Sequence, residues 1–222
     1  MLGKIVSKEE ALERVKHGMS LMHGGVAGEG EPVELAEGIL QKGVHDLTVI
    51  GMDAGRPERG IGRLIAERRV KRILTSRIGS NPEAERQFLA GTLEVILFSQ
   101  GILAEKVRMG GVGLPGCLVR VEKESAAGDD QQIIEYCGQK FRVETALQAD
   151  VAIVCAKLAD PYGNLVYDKA NAHFNPLVAM AAECTIAQVE EIVPPEELDA
   201  AWIGTPGIFV TCVVLTGGEP GR

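Results

Sequence analysis

Aromatic residues are scarce in this sequence, and it lacks long apolar runs and an excess of positive charge. Phe, Trp and Tyr make up 4% of its 222 residues, so the core must consist of Val, Ile, Leu, Ala and Met. No window contains the roughly 18 consecutive apolar residues that a membrane-spanning helix needs. The first residues mix charges of both signs, which fits neither a signal peptide nor a transit peptide. We therefore expect no association with a membrane.

The cysteines and histidines do not form the patterns that hold disulfides or metals. Five cysteines lie far apart, are odd in number and include no CxxC pair. They are Cys117, Cys137, Cys155, Cys184 and Cys212. The four histidines form no HxxH or HxxxH pair. We expect no disulfide framework, no metal site and no permanently bound cofactor, and a reducing cytoplasm as the compartment.

Charge and length limit the remaining classes of protein. A net charge of -8 repels phosphate backbones, so nucleic acid is an unsuitable partner. Hydrophobic residues at 45% and charged residues at 24% are ordinary for a globular protein. The length favours one α/β domain spanning residues 1–222, because the sequence shows neither an internal repeat nor a long linker.

The first half of the chain alternates strand-like and helix-like segments. Apolar strands are predicted at residues 20–23, 46–52, 70–76 and 93–98, with helical patterns between them. This alternation predicts an α/β fold, an open and mainly parallel sheet with helices on both faces. Ligands of such sheets bind beyond the carboxyl ends of strands, which points to the loops after residues 23, 52, 76 and 98.

The second half begins with a different pattern. Residues 133–137 and 140–143 flank Gly138 and Gln139 and predict a β-hairpin, which follows a polar loop at residues 126–130. We expect a small β-rich extension here. Strand patterns return at residues 151–156, 185–189 and 208–215, a helix is predicted at residues 175–182, and a frayed tail follows from residue 216.

A literal GxGxxG motif at residues 111–116 does not indicate dinucleotide binding. That fingerprint requires a strand before the glycines and a helix after them, so that backbone amides point at the pyrophosphate. Here a helix comes before and a strand after, and no acidic residue ends a following strand at the right distance.

Glycine-rich residues 24–30 follow the first strand and precede a helix, which is the correct setting for a ligand. Their backbone can approach a ligand closely and point amides at an anion or a developing oxyanion. The alternative is a tight strand-to-helix turn, and spacing leaves both open. Glu29 and Glu31 in this loop are candidate catalytic carboxylates, although their glycine neighbours favour side chains that face solvent.

Two further polar residues follow strands. Asp53 is a candidate acid, base or helix cap, and Gln100 is a candidate donor to a carboxylate or carbonyl unless it merely starts a helix. Residue types and spacing therefore lead to an open α/β sheet with an anion-favouring glycine loop, and they do not identify a reaction.

Read in order, the segments of this chain resemble the A-type subunit of the family I coenzyme A-transferases. The family opens with a stretch like DGM-T-I-M-x-GGFGxxGxP, and residues 17–32 here read HGMSLMHGGVAGEGEP. Further matches lie at residues 43–50, 85–91, 99–106, 108–115, 156–160, 163–166, 174–176 and 205–210. The resemblance runs from about residue 5 to residue 214, and its specificity comes from the order and spacing of the segments.

The resemblance implies a function and a partner. A glutamate attacks an acyl-CoA, an anhydride and then a glutamyl-CoA thioester form, and an incoming carboxylate takes the CoA. The family places this glutamate on the other, B-type subunit, so this chain is expected to hold no catalytic nucleophile and to work in a heterodimer or dimer of heterodimers. Coenzyme A is then a substrate. The implied substrate and oxyanion pocket contains Gly25, Val26, Gly28, Gly30, Asp53, Gln100 and Gly101.

Some positions depart from the family pattern. Val26 and Ala27 stand where Phe and Gly are usual, and Asp53 lies where relatives often have Asn. Arg56 and Arg59 could bind a second carboxylate, or they could form a surface ion pair. Relatives without the glutamate act as acyl-CoA hydrolases or decarboxylases, which is the alternative function. A sensor or a sugar-phosphate isomerase is disfavoured, because Asp53 with Arg56 is its one weak candidate site.

Overall fold

The computed structural model describes residues 3–121, 132–168 and 171–216. The predicted loop at residues 126–130 and nearly all of the predicted tail lie outside these ranges. Six helices lie in the described ranges: α1 Lys8–Leu12, α2 Val33–Gln41, α3 Gly60–Ala66, α4 Pro82–Leu89, α5 Gln100–Gly111 and α6 Asn175–Met180. The strands are β1 Ser20–His23, β2 Leu47–Ile50, β3 Val70–Thr75, β4 Glu94–Leu97, β5 Gly116–Arg120, β6 Ile133–Tyr136, β7 Gln139–Thr145, β8 Ala149–Ala159, β9 Leu165–Val166, β10 Ala182–Ile192, β11 Ile203–Thr205 and β12 Cys212–Leu215.

Short polar signals in the sequence start two of these helices. Ser7 precedes α1, and its hydroxyl oxygen accepts a hydrogen bond from the Glu10 amide at 3.1 Å, as the serine of a capping box does. Asn81 precedes α4, and its side-chain oxygen accepts from the amides of Glu83 and Ala84. These caps satisfy helix amides that have no acceptor within their own helix.

The main sheet is mostly parallel, as predicted. Strands β1 to β4 pair in sequence order, each parallel to the next. On the other side of β1 lies β8, followed by β10 and β12, again all parallel. The short strands β9 and β11 are antiparallel additions beside the carboxyl-terminal half of β8.

This strand order creates a switch point between β1 and β8. From β1 the chain first builds the sheet in one direction through β4, and it later builds in the opposite direction through β8, β10 and β12. In open parallel sheets, ligands bind beyond the carboxyl ends of the strands at such a reversal, because the loops there diverge and leave a crevice. The glycine-rich loop of residues 24–30 begins at this point.

Helices cover both faces, which confirms the predicted layers. Alternate strand residues point to opposite faces, so Leu21 belongs to one apolar cluster and Met22 to the other. The first cluster contains buried residues of α1 to α4, such as Leu35 and Leu64. The second contains Leu103 of α5 and buried residues of α6. Apolar burial on both faces holds the loops at the carboxyl edge in fixed positions.

The predicted β-rich extension is a three-stranded antiparallel sheet in the order β5-β7-β6. It is joined to α5 by a buried ion pair, in which Lys106 Nζ lies 2.8 Å from Glu144 Oε2. Some predicted boundaries are wrong. The last strand begins at Cys212 and not at Ile208, and the strand predicted at residues 185–189 runs from Ala182 to Ile192. Residues Gly207–Phe209 instead form a 3-10 turn that follows Pro206.

Candidate functional site

The glycine loop, defined as residues 24–30, is a tight backbone turn. Val26 and Glu29 exchange backbone hydrogen bonds of 3.0 and 3.1 Å across it. Between them Ala27 and Gly28 both have positive φ, 58° and 87°, which is the geometry of a type I′ turn. A left-handed conformation strains alanine, by roughly 1 kcal/mol, so neighbouring contacts must hold the loop in this shape.

Asp53 provides the strongest of these contacts. Its side chain is buried, Oδ2 accepts from the Ala27 amide at 2.6 Å, and Oδ1 accepts from the Gly55 amide at 2.9 Å. Burial by itself raises the pKa of the Asp53 carboxyl, but the Ala27 and Gly55 amides, His23 and Arg77 outweigh it and lower the pKa. The carboxylate is ionised and committed to the loop, so Asp53 anchors the loop and is not a free acid or base.

One arginine side chain bonds to the same loop, and another bonds to Asp53. Arg59 Nη2 donates to the carbonyl oxygen of Gly28 at 2.9 Å, and Arg77 Nη2 lies 3.3 Å from Asp53 Oδ2. Neither Arg56 nor Arg59 forms an ion pair within the described part of the chain. The sequence left a surface ion pair open for these two residues, and the described residues do not form one. Arg59 instead presents its charge at the edge of the glycine loop.

Asn175 lies beneath the loop at the switch point and is completely buried. Its side-chain oxygen accepts from the Cys155 amide of β8 at 2.9 Å, and its amide nitrogen donates to the carbonyls of Gly30 and Asn171, each at 3.0 Å. A single side chain therefore connects β8, the end of the glycine loop and the start of α6. A Cβ on Gly24 would lie 1.7 Å from Asn175 Oδ1, so Gly24 must lack a side chain.

Three amides of the loop remain available as donors. Within the described residues, the N–H groups of Gly25, Gly28 and Gly30 have no hydrogen-bond acceptor. Gly25 is buried, and a buried amide without an acceptor destabilises the protein unless a ligand accepts its hydrogen bond. Four of the predicted pocket residues, Gly25, Val26, Gly28 and Gly30, thus lie together in one donor-rich turn, with Asp53 bonded to it.

Gln100 and Gly101 are not in contact with this turn. They start α5 after β4, which is three strands away from β1 in the sheet. At the usual spacing between strands this separation is about 14 Å. Both residues are exposed at the same edge of the sheet as the glycine loop. Their role as part of one pocket therefore stays a prediction.

Glu29 in the loop and Glu31 directly after it behave differently from each other. Glu29 is exposed, as predicted. Glu31 is buried, and its Oε1 accepts from the Ile61 amide at 2.7 Å, so the expectation that it faces solvent is wrong. The physical reason is that α3 begins beside the loop and its first amides need an acceptor. Glu31 supplies that acceptor.

The described residues offer neither a metal cluster nor a membrane span. They contain no group of three or more His, Cys, Asp or Glu side chains with the geometry to hold a metal ion. None of the helices in the described ranges has both the length and the apolar character that crossing a membrane requires. The candidate site is therefore a set of backbone donors with arginine, asparagine and aspartate around it.

A family model described as Coenzyme A transferase matches residues 5–216. The chain belongs to the coenzyme A transferase family. It is 47% identical over 216 residues to the alpha chain of a probable coenzyme A transferase of Bacillus subtilis (strain 168), covering 97% of this chain and 94% of that protein. It is 40% identical to the A-type subunit of a probable succinyl-CoA:3-ketoacid coenzyme A transferase of the same organism, covering 100% of this chain and 93% of that protein.

Solved structures of the family share the fold. Glutaconate coenzyme A-transferase from Acidaminococcus fermentans superimposes with a TM-score of 0.86 at 26% sequence identity, covering 96% of this chain and 76% of that chain. The resemblance of the sequence to family I coenzyme A-transferases and the predicted fold class are both confirmed. The switch point and its glycine loop therefore belong to one polypeptide of a coenzyme A transferase.

Sequence reasoning missed three residues that build the site: His23, Arg77 and Asn175. Arg77 follows β3 at its carboxyl end, so the rule that selected Asp53 and Gln100 applied to it as well. Asn175 lay in a matched segment, but its contacts join residues that are 145 positions apart in the chain. His23 was noted only for lacking a histidine partner. The contacts of His23 and Asn175 have no periodicity or spacing that marks them in the sequence.

Proposed function

We propose that this chain is the A-type half of a two-component coenzyme A transferase, contributing one domain of residues 1–222. The observation that carries the proposal is the glycine loop at the switch point, with unbonded amides, in a chain of this family. The complex moves CoA from an acyl-CoA to a free carboxylic acid of the 3-oxoacid type. Relatives named as alpha or A-type subunits support a B-type partner, in a heterodimer or a dimer of heterodimers.

The chemistry proceeds through a glutamate of the partner subunit. Its carboxylate attacks the thioester carbonyl, which forms an anhydride and releases CoA thiolate; the thiolate then attacks the glutamyl carbonyl and expels the first acid. The incoming carboxylate reverses these steps and leaves as the new acyl-CoA. Each attack places negative charge on a carbonyl oxygen, and preorganised amides stabilise that charge. The amides of Gly25, Gly28 and Gly30 are suited to this task.

The substrate pocket of this chain includes Val26 and the loop glycines. Gln100 and Gly101 complete it from the carboxyl end of β4, where Gln100 orients a carboxylate of the substrate or of the partner. Since these residues are exposed and distant from the loop, the partner subunit fills the space between them. Coenzyme A is a substrate of the complex, and the free state of all five cysteines supports a reducing cytoplasm as its location.

Arg59 favours acyl groups that carry a second carboxylate. Its guanidinium is fixed against Gly28 by one hydrogen bond, and it has no carboxylate partner among the described residues. A guanidinium has five N–H donors, so several remain for an anion. The name of one relative includes succinyl-CoA, an acyl-CoA of this kind.

The experiment is CoA exchange with the co-expressed partner. The purified complex is mixed with a panel of acyl-CoAs and free acids, and borohydride is used to trap a thioester of the enzyme. We expect ping-pong kinetics, trapping on a glutamate of the partner, and no exchange by either chain alone. Release of CoA that does not depend on a free acid would instead establish a hydrolase. Release of carbon dioxide would establish a decarboxylase.

A further inference from the structure

His23 ends β1 directly beneath the glycine loop and is 2% exposed. Its Nδ1 lies 2.9 Å from the carbonyl oxygen of Gly24. Because a carbonyl oxygen only accepts hydrogen bonds, Nδ1 must carry the proton and donate it. The imidazole therefore holds the carbonyl of the first residue in the loop.

This contact controls the direction of the next amide. The Gly24 carbonyl and the Gly25 N–H belong to one planar trans peptide unit, so they point in opposite directions. The Gly24 amide is fixed separately, because it donates to the Ile153 carbonyl of β8 at 3.0 Å. With both sides of Gly24 bonded, the Gly25 N–H has a set orientation, and it is the buried donor that lacks an acceptor within the described residues.

The ring occupies space that a glycine directly after the neighbouring strand provides. Met22 of β1 is in register with Ile50 of β2, so His23 lies beside Gly51. A Cβ on Gly51 would lie 1.8 Å from His23 Nε2, which means that any other residue at Gly51 would displace the imidazole. Nε2 is buried and has no hydrogen-bond partner among the described residues, so Nδ1 alone fixes the ring by hydrogen bonding.

We propose that His23 is a positioning residue that orients the Gly24–Gly25 peptide, so that the Gly25 N–H meets the oxyanion formed during acyl transfer. The inference rests on the proposed coenzyme A transfer. His23 does not touch the substrate in this role and acts through the Gly24–Gly25 peptide. The position of its ring also explains why residue 51, outside the loop, is glycine.

The test compares two replacements in the co-purified complex. In His23→Asn the side-chain nitrogen has the same distance from Cβ as Nδ1 and can donate to Gly24. In His23→Leu the volume is largely kept and the donor is lost. Loss of a single oxyanion donor costs about 10²–10³ in kcat, and misorientation of that donor should cost about tenfold or more. We expect this loss in kcat for His23→Leu, with little change in KM, and recovery to within about threefold of wild type for His23→Asn.

Gly51→Ala should also separate the His23 ring from the Gly24 carbonyl. Gly51 has no positive φ, so its backbone conformation suits alanine. The added methyl group would exert its effect by displacing the His23 ring. We expect Gly51→Ala to lower kcat as His23→Leu does. In a His23→Ser background, where the space is free, the same change should have almost no further effect, which is the non-additivity of coupled residues.

Failure of the positioning role and failure of the proposed transferase function give different results. Transfer by wild type with an unchanged kcat in a folded His23→Leu complex would overturn the positioning role. Equal losses in the leucine and asparagine variants, accompanied by equal drops in melting temperature, would show a merely structural histidine and also overturn it. Absence of transfer by the wild-type complex would overturn the proposed function, and the inference with it.

Discussion

The two ends of the parallel sheet use polar groups in different ways. At the amino end, Ser20 of β1 and Asp150 of β8 bond to each other: both the amide and the hydroxyl of Ser20 donate to Asp150 Oδ2 at 2.7 Å, and the Asp150 amide donates back to Ser20 Oγ at 2.8 Å. At the carboxyl end, the side chains of Asp53, Arg59 and Asn175 bond to the backbone of one loop and leave three of its amides without acceptors among the described residues.

The amino end of the sheet also has an open cavity. A cavity of about 450 Å³ lies at the amino end, lined by Ser20, Asp150 and Glu183 among others. Its polar groups at Ser20 and Asp150 satisfy one another, so little remains to recognise a ligand. A cavity whose polar groups satisfy one another is therefore weaker evidence of a site than backbone donors that have no acceptor.

The largest effect is expected from Gly25→Ala. Gly25 has a φ of 91°, and an added Cβ would lie 2.8 Å from the Glu31 backbone nitrogen, so the loop must move. A shift of about 1 Å costs roughly 100-fold in rate, and we expect at least that loss in CoA exchange. The matched control is Gly43→Ala, which has a similar φ of 75° and open space around its Cβ. Equal activity losses in both variants would contradict a specific role of the glycine loop in CoA exchange.

Asn175→Ala should destabilise the protein strongly. It leaves the Cys155 amide and the Gly30 and Asn171 carbonyls without their partner at a fully buried position, at a cost of about 3 kcal/mol. Ser20→Ala at the more exposed amino end should cost about 1 kcal/mol or less. Urea unfolding of the purified chain measures both values. A larger loss of unfolding free energy for Ser20→Ala than for Asn175→Ala would contradict the greater importance of the carboxyl end for stability.

Arg59→Gln should change substrate preference and leave the fold intact. Loss of a hydrogen bond to a charged group costs about 1.5 kcal/mol, so kcat/KM for succinyl-CoA should fall roughly tenfold relative to acetyl-CoA. Lys71→Gln on β3, an exposed residue with the same charge loss, should leave the ratio unchanged. A uniform loss with both acyl-CoAs would instead assign Arg59 to the CoA phosphates or to the partner.

Asp53 should make stability depend on pH in the acidic range. Its pKa in the folded protein is lowered from 3.8, so the unfolded chain binds its proton first as the pH falls. The stability that the ionised carboxylate contributes is complete above about pH 4 and is lost as the pH falls through the lower, folded pKa. The difference in unfolding free energy between wild type and Asp53→Asn should therefore be largest near neutral pH and shrink on acidification. A difference that grows on acidification would contradict the stabilising role of the ionised Asp53 carboxylate.

The smallest effect concerns strain in the loop. Ala27 has a left-handed conformation with a φ of 58°, so Ala27→Gly should stabilise the protein by roughly 0.5–1 kcal/mol while the Asp53 contact is kept. Thermal unfolding measures the change. Destabilisation would mean that the alanine methyl group has contacts that outweigh its strain.

Much of the fold follows from local pattern. Apolar segments indicated most of the strand positions, and the hydroxyl of Ser7 begins α1 by accepting a hydrogen bond from the Glu10 amide. The last strand was placed too early, because the apolar run at residues 208–215 hides a 3-10 turn that Pro206 initiates. The burial of Glu31 was missed as well, because its acceptor role depends on where α3 starts in space.

The family, the α/β class, the parallel sheet and the glycine loop follow from the amino-acid sequence, because apolar period and ordered motifs are properties of neighbouring residues. Long-range packing places β8 beside β1, which puts the loop at a switch point and brings Asn175 beneath it. The same packing makes Asp53 an anchor of the loop and lets His23 hold the Gly24 carbonyl. These roles depend on hydrogen-bond geometry of a few tenths of an ångström between elements far apart in the chain, and that geometry is set by packing.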